Sequence, residues 1–312
     1  MKPFEPAKQP TIYFIGVTTG RSAIMKVFPK WADALGLKDA AIRGIDIELH
    51  AEPRIYREVV AFIKEDELSV GALVTAHKLD VFSAARDLFD DFDPYAQALQ
   101  ELSCISKRDG RLVGHAKDPI SSGLAMRAFT PPNFWKDHRG EAFLMGAGGS
   151  AVAIASSLIR QEDNRPSRIT VSDLSPERLE HFAAVIRRMN ADPALFDYVL
   201  CDREGANDGV LARLPSHSLI VNATGLGKDR PGSPISDEAS FPADSLVWEL
   251  NYRGDLRFLE QARRQAEAKR LKVHDGWIYF IHGWTQVIAE VFHVPIGEQE
   301  VEQLARVASE LH

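Results

Sequence analysis

The chain has 312 residues, enough for two domains of ordinary size, each with its own apolar core. Apolar residues make up 45% and charged residues 26%, the balance of a water-soluble globular protein, and no apolar run approaches a membrane span. A formal net charge of −7 without any basic run argues against nucleic acid and membrane surfaces and leaves small molecules as partners.

Residues 1–10 are polar and proline-rich, which suits a frayed lead-in rather than a signal peptide. The β-branched and aromatic run TIYFIGV (11–17) predicts a first strand closing on Gly16. Ile24, Val27, Phe28, Trp31 and Leu35 fall at helical spacing across 22–35, with Pro29 near the start. Residues 41–49 alternate like a strand, 56–63 read as a helix, 69–75 as a buried strand and 80–89 as a helix. That alternation predicts a parallel α/β sheet over residues 11–125. Cys104 and Cys201 stand outside any metal-ligand spacing and are expected to be free thiols of a cytoplasmic protein. The stretch 130–140 has two prolines and no periodicity, so the entry to a second domain is placed there.

The most informative segment comes next. Phe143, Leu144 and Met145 form an apolar strand end, Gly146, Gly148 and Gly149 allow a tight turn, and a small-residue helix starts near Ala151. The free N–H groups of such a helix start, with Ala147 and Ser150 alongside, favour a diphosphate. A glycine triplet alone is compatible with a nucleotide-free corner. Here a second strand, ITVSD (169–173), ends in Asp173, whose carboxylate can accept both ribose hydroxyls of an adenosine moiety. Asp173 would repel a 2′-phosphate, so NAD is expected over NADP, while Arg168 and Arg178 keep NADP open. A helix over 176–189, strands at 218–224 and 245–250, a charge-patterned helix over 256–269 and the segment 273–276 complete this domain. A last apolar helix over 278–292 is expected to return to the first domain.

An alcohol dehydrogenase needs a group to take the hydroxyl proton as hydride leaves. Lys78, past the 69–75 strand, and Asp118 are the candidates in the first domain; a lysine in a dry cleft beside a carboxylate can serve. Either residue alone is as readily a solvated surface charge.

Across nearly the whole chain the order of elements resembles the shikimate/quinate dehydrogenase family. GAGGSA (146–151) is similar to its glycine turn and NATGLG (222–227) to its NAT segment. GALVTAHK (71–78) resembles its strand-and-lysine motif, one residue shorter, and DGRLVGHAKD (109–118) its aspartate motif. GVTTGRSAIM (16–25) resembles its N-terminal serine motif. The resemblance implies a substrate domain, 1–127 completed by 278–312, and an NAD(P)-binding Rossmann-like domain, 128–277. It implies Lys78 and Asp118 as catalytic pair, and Gly146, Ala147, Gly148, Gly149, Ser150, Ala151, Asp173, Asn222, Ala223, Thr224 and Gly276 at the cofactor. Asn222 and Thr224 are also explicable as turn formers, and Asn251 with Tyr252 could close the nicotinamide side. The implied reaction is reversible NAD(P)-linked oxidation of a ring hydroxyl on a cyclic carboxylate.

Departures from the family fall on the substrate side. Ser22 is kept, but the second carboxylate-binding serine is Ile24. Asparagines that would face substrate hydroxyls correspond to Leu73, Ile105 and Ala116, and the expected C-terminal glutamine falls on Gly283, with Gln286 one turn later. Apolar residues in a hydroxyl-rich pocket leave the ligand's polar groups unpaired, so a less hydroxylated substrate than shikimate is expected. Thr75 keeps its hydroxyl. Arg21 could grip a carboxylate or lie on the surface, His77 could reach the substrate or cap local structure, and Lys117 could partner Asp118 or be solvated. Tyr279, His282, Trp284 and Gln286 form an aromatic and polar face that is packing or a seat for an apolar substrate. Besides the dehydrogenase, a non-catalytic NAD-binding sensor on the same fold and true shikimate turnover with rearranged contacts stay open. A monomer or homodimer is expected.

Overall fold

The computed structural model describes residues 4–161, 163–203, 205–228 and 230–311. Its contacts divide the chain into two compact units, Met1–Lys117 with Ile281–His312, and Asp118–Phe280.

The first unit opens with β1 (Thr11–Gly16), α1 (Ile24–Ala34), β2 (Ala41–Asp46), α2 (Pro53–Glu65), β3 (Ser69–Val74) and α3 (Lys78–Ala85). Short β4 (Asp91–Phe92) and α4 (Pro94–Leu99) follow, then β5 (Cys104–Arg108) and β6 (Arg111–His115). The strands lie in the order β2-β1-β3-β5-β6-β4. β1 pairs in parallel with β2 and β3, whereas β5 is antiparallel to both β3 and β6. The sheet is therefore mixed, which corrects the expected all-parallel arrangement. The physical cause is the Asp109–Gly110 pair, with φ of 51° and 75°, a two-residue turn of left-handed residues whose twist matches the right-handed twist of the strands it joins. In α1 the residues at helical spacing, Ile24, Val27, Phe28 and Trp31, are buried together with Ala32, and Pro29 is accommodated within the helix.

The second unit holds α5 (Asp118–Arg127), α6 (Phe134–His138), β7 (Ala142–Met145), α7 (Gly149–Ile159), β8 (Ile169–Asp173) and α8 (Pro176–Arg188). β9 (Phe196–Leu200), α9 (Ala206–Leu211), β10 (Leu219–Asn222), β11 (Leu246–Glu249), α10 (Arg257–Lys269) and β12 (Lys272–His274) complete it. Its sheet is wholly parallel in the order β12-β11-β10-β7-β8-β9. Chain progression reverses between β7 and β10, the switch point where doubly wound sheets leave a crevice at their carboxyl ends. Phe143, Met145, Ile220, Val247 and Phe258 anchor one apolar layer of the core. The expected end of the first domain at residue 127 differs from the contact division, because α5 packs on α7, with Gly123 tight against Ser157.

The chain ends in α11 (Trp277–Phe292), whose residues from Ile281 belong to the first unit, and α12 (Glu298–Ser309). There Trp31 Nε1 donates to Leu304 O at 2.8 Å, binding α12 to α1. Among the described residues no helix is long and apolar enough to cross a membrane.

Candidate functional site

In the second unit β7 stops at Met145 and the chain turns through Gly146, whose φ is +100°. A Cβ there would lie 2.8 Å from Ala223 O and 3.1 Å from Thr224 N, so only glycine lets the two strand-end loops touch. A Cβ on Gly148 would meet nothing within 4 Å, which leaves that side of the turn open. The first helical bond of α7 runs from Val152 N to Gly148 O, so the N–H groups of Gly149, Ser150 and Ala151 stand outside the ladder. Ala147 and Ala151 are buried behind the turn. Asp173 Oδ2 accepts from Ala147 N at 2.8 Å and Oδ1 from Ser175 N at 3.0 Å, which pins the glycine turn to the end of β8. Gly146, Gly148, Asp173, Ala223 and Thr224 line one cavity of about 730 Å³. An open glycine cradle, a free helix start and a carboxylate on one wall fit a dinucleotide.

Two expected cofactor residues have other work. Asn222 is fully buried: its Nδ2 donates to Glu249 Oε2 at 2.6 Å and its Oδ1 accepts from Thr224 N and Oγ1, so its polar atoms shape the turn. Gly276 lies off the cavity lining; a Cβ there would sit 1.9 Å from Leu250 O, so the glycine answers a close backbone approach. Sequence reading passed over Glu249. Burial pushes its carboxyl up to about 7, against the N–H of Asn251 and the amide of Asn222 that favour its ionised form.

In the first unit β1, β3 and β6 run in the same direction, so their carboxyl ends share one edge. Thr75 N donates to Ile15 O, joining the start of the Lys78 segment to the end of β1. The turn carrying Arg21 and Ser22 is held there by Asp46 Oδ1, which accepts from both Thr19 N and Thr19 Oγ1. Arg21 is exposed and Ser22, Thr75 and Lys78 are half-buried. Ala76, between Thr75 and Lys78, has φ +62° with His77 N donating to Thr75 O, a tight left-handed turn where the family motif has one residue more. Leu102 N donates to Lys78 O, and its neighbour Ser103 accepts Lys117 N on its Oγ. The backbones at Lys78 and Lys117 thus meet on the same dipeptide, and Asp118 is the next residue, opening α5. His77 is buried against Tyr56, whose Oη is 3.2 Å from Nδ1, so it faces the core rather than a ligand.

Lys117 is not solvated. Its Nζ lies 2.6 Å from Glu290 Oε2 on α11, one helical turn past half-buried Gln286. His115 stands 3.6 Å from both Glu290 Oε1 and Asp93 Oδ2 and shares a 2.8 Å hydrogen bond with Ser106 Oγ. Burial raises the Glu290 carboxyl, but the Lys117 hydrogen bond and the His115 charge outweigh it and hold the group below its ordinary value. Ile105 and Ala116 are fully buried, while Leu73 is half-buried. Of the aromatic face, Trp284 is core, edge-on to Phe14, and Tyr279 rests on Trp248.

No family model matches the chain. It is 27% identical over 177 residues to the shikimate dehydrogenase (NADP(+)) of Streptococcus thermophilus, an alignment spanning 56% of this chain but only 58% of that protein. The shikimate dehydrogenase (NADP(+)) of Methylocella silvestris is 29% identical over 226 residues, 72% of this chain and 71% of its own. The quinate dehydrogenase from Corynebacterium glutamicum in complex with NAD superposes with a TM-score of 0.74 over 97% of this chain and 99% of its own, at 18% identity. Two-domain architecture, glycine turn and sequence likeness agree, and together they make the chain similar to the shikimate and quinate dehydrogenases.

Proposed function

We propose that this protein is an NAD(P)-linked oxidoreductase that moves hydride between nicotinamide and a ring carbinol of a cyclic hydroxy acid less hydroxylated than shikimate. The supporting observation is the convergence of the Lys78 and Lys117–Asp118 segments on Leu102 and Ser103, at the sheet edge shared with the Arg21–Ser22 turn. A nicotinamide dinucleotide held at the glycine turn would supply the hydride acceptor or donor. Lys78, as neutral amine, accepts the hydroxyl proton during oxidation and gives it back as ammonium during reduction, and Asp118 orients it. Arg21 and Ser22 hold the substrate carboxylate, and Thr75 and Gln286 supply the remaining polar contacts. The α7 start holds the diphosphate, and Asp173 favours the unphosphorylated ribose of NAD. The two named relatives are NADP(+) enzymes by name and the quinate dehydrogenase was solved with NAD, so the preference for NAD rests on Asp173. Residues 1–127 with 278–312 act as the substrate domain and 128–277 as the nucleotide domain.

The test is reduction of NAD+ and NADP+ with shikimate, quinate and mono- or dihydroxylated cyclohexane carboxylates. We expect turnover on a less hydroxylated ring, better with NAD+, and a fall of about 10²-fold or more in kcat for Lys78→Ala and Asp118→Asn. Full turnover in Lys78→Ala would remove it from proton transfer. A second reading, a nucleotide-binding sensor, is favoured by the apolar Leu73, Ile105 and Ala116; tight NAD+ binding without hydride transfer in any arm would select it.

A further inference from the structure

Four arginines line the cavity of the second unit: Arg178, Arg203, Arg230 and Arg257. They are not equivalent. Arg257 is spent on Asp237, with Nη2 2.8 Å from Oδ2. Arg178 lies on α8 beyond Asp173, and Arg203 follows β9, both on the wall away from the Ala223–Thr224 turn. Arg230 alone hydrogen-bonds that turn, its Nη2 donating to Thr224 O at 3.0 Å. Thr224 is also the residue against which Gly146 closes, with 3.1 Å between its N and a Cβ built on the glycine. The guanidinium therefore stands one peptide from the glycine turn and faces the same cavity as Gly148. Among the described residues no carboxylate lies within ion-pair range of it.

Its placement is rigid at the backbone. Leu226 bridges Arg230, and Gly227 N donates to Arg230 O at 2.7 Å. Leu226 O in turn accepts from Asn222 Nδ2 and Asn251 Nδ2, and Leu226 N donates to Thr224 Oγ1. Gly225 and Gly227 take φ of 74° and 87°, values that let so tight a loop close. A helix start offers partial positive charge to a diphosphate bearing two negative charges; a guanidinium offers a full one, with five donors in a fixed fork. We infer that Arg230 is the cationic clamp on the diphosphate of the bound dinucleotide, facing the glycine turn across the cavity from the loop after β10.

This inference rests on the dinucleotide reading above, and the test separates the two. Calorimetric titration of wild type, Arg230→Met and Arg230→Lys with NAD+, ADP and AMP reads binding without needing a substrate. We expect Arg230→Met to weaken NAD+ and ADP by about tenfold, the loss of one charged hydrogen-bond partner, while AMP, which lacks the second phosphate, changes less than about twofold. Arg230→Lys should recover part of the loss, and the wild-type advantage should shrink at high salt. Wild-type binding of ADP and NAD+ unaltered in Arg230→Met, or an equal loss for AMP and ADP, overturns the clamp alone. No binding of NAD+ or NADP+ by the wild type overturns the dinucleotide reading and the clamp with it. Arg230 is exposed, so its replacement leaves the core untouched.

Discussion

A carboxyl group with no exposed surface, Glu249, sits under the carboxyl edge of the second sheet without a cationic partner in its set of hydrogen bonds. Desolvation dominates and carries it up to about 7 from an ordinary value of 4.5. Between those two values the unfolded chain releases the proton while the folded chain keeps it. The stability tied to Glu249 is therefore fully present below about pH 4.5 and is lost as pH rises through 7, by an amount on the order of 3 kcal/mol at most. Glu249→Gln cannot ionise, and its amide oxygen can still accept from Asn251 N. Urea midpoints at pH 5 and pH 8 should fall more steeply for wild type than for the variant. Parallel curves would mean that Glu249 ionises freely inside the fold. Nothing in the run LVWEL announces this, because burial of a strand-end glutamate is decided by the residues of β10 and the loops that close over it.

At the scale of elements, the half-buried pair Lys117–Glu290 ties the end of β6 to α11, and with it the residue before Asp118 to the helix bearing Gln286. Removing one partner leaves the other charge half-buried among Cys104, His115 and Asp93. Glu290→Ala should cost about 2 kcal/mol of stability, discounted from fully buried pairs because Glu290 keeps 30% exposure. Lys117→Met added to Glu290→Ala should recover part of it, giving a coupling of about 1 kcal/mol in a double-mutant cycle read by urea unfolding. Strictly additive losses would mean that the pair does not bind the two elements. No local pattern reveals this contact, since its partners lie far apart in the chain. β7, α7 and β8 were legible for the opposite reason: turn glycines, small helix residues and the terminal Asp173 are neighbours in sequence. The β5–β6 hairpin was legible too, through Asp109–Gly110, but the expectation of uniform strand–helix alternation hid it. β9 gave little signal because Asp197 and Tyr198 are exposed on an edge strand, so no apolar run forms. Lys78 and Asp118 are nominated by motif alone, whereas the Leu102–Ser103 dipeptide that holds the backbones at Lys78 and Lys117 has no signature of its own.

For the molecule as a whole, the division into two compact units decides where ligand binding energy is felt. Every residue lining the large cavity, from Gly146 to Arg257, belongs to the second unit, which has its own parallel sheet and apolar layers. A ligand that binds only the folded form stabilises the part whose unfolding destroys its site, by about 2.7 kcal/mol at a hundred times its dissociation constant. Local opening of that part should slow accordingly, while elements with separate cores keep their own opening free energies. Hydrogen exchange with saturating NAD+ should therefore show its largest protection in peptides covering 142–176 and 222–232. Peptides covering β1, β2 and β3 should exchange nearly as they do without nucleotide. Protection concentrated in residues 11–115 instead would place the nucleotide on the mixed sheet, and the glycine turn would then be only a tight corner between a strand and a helix.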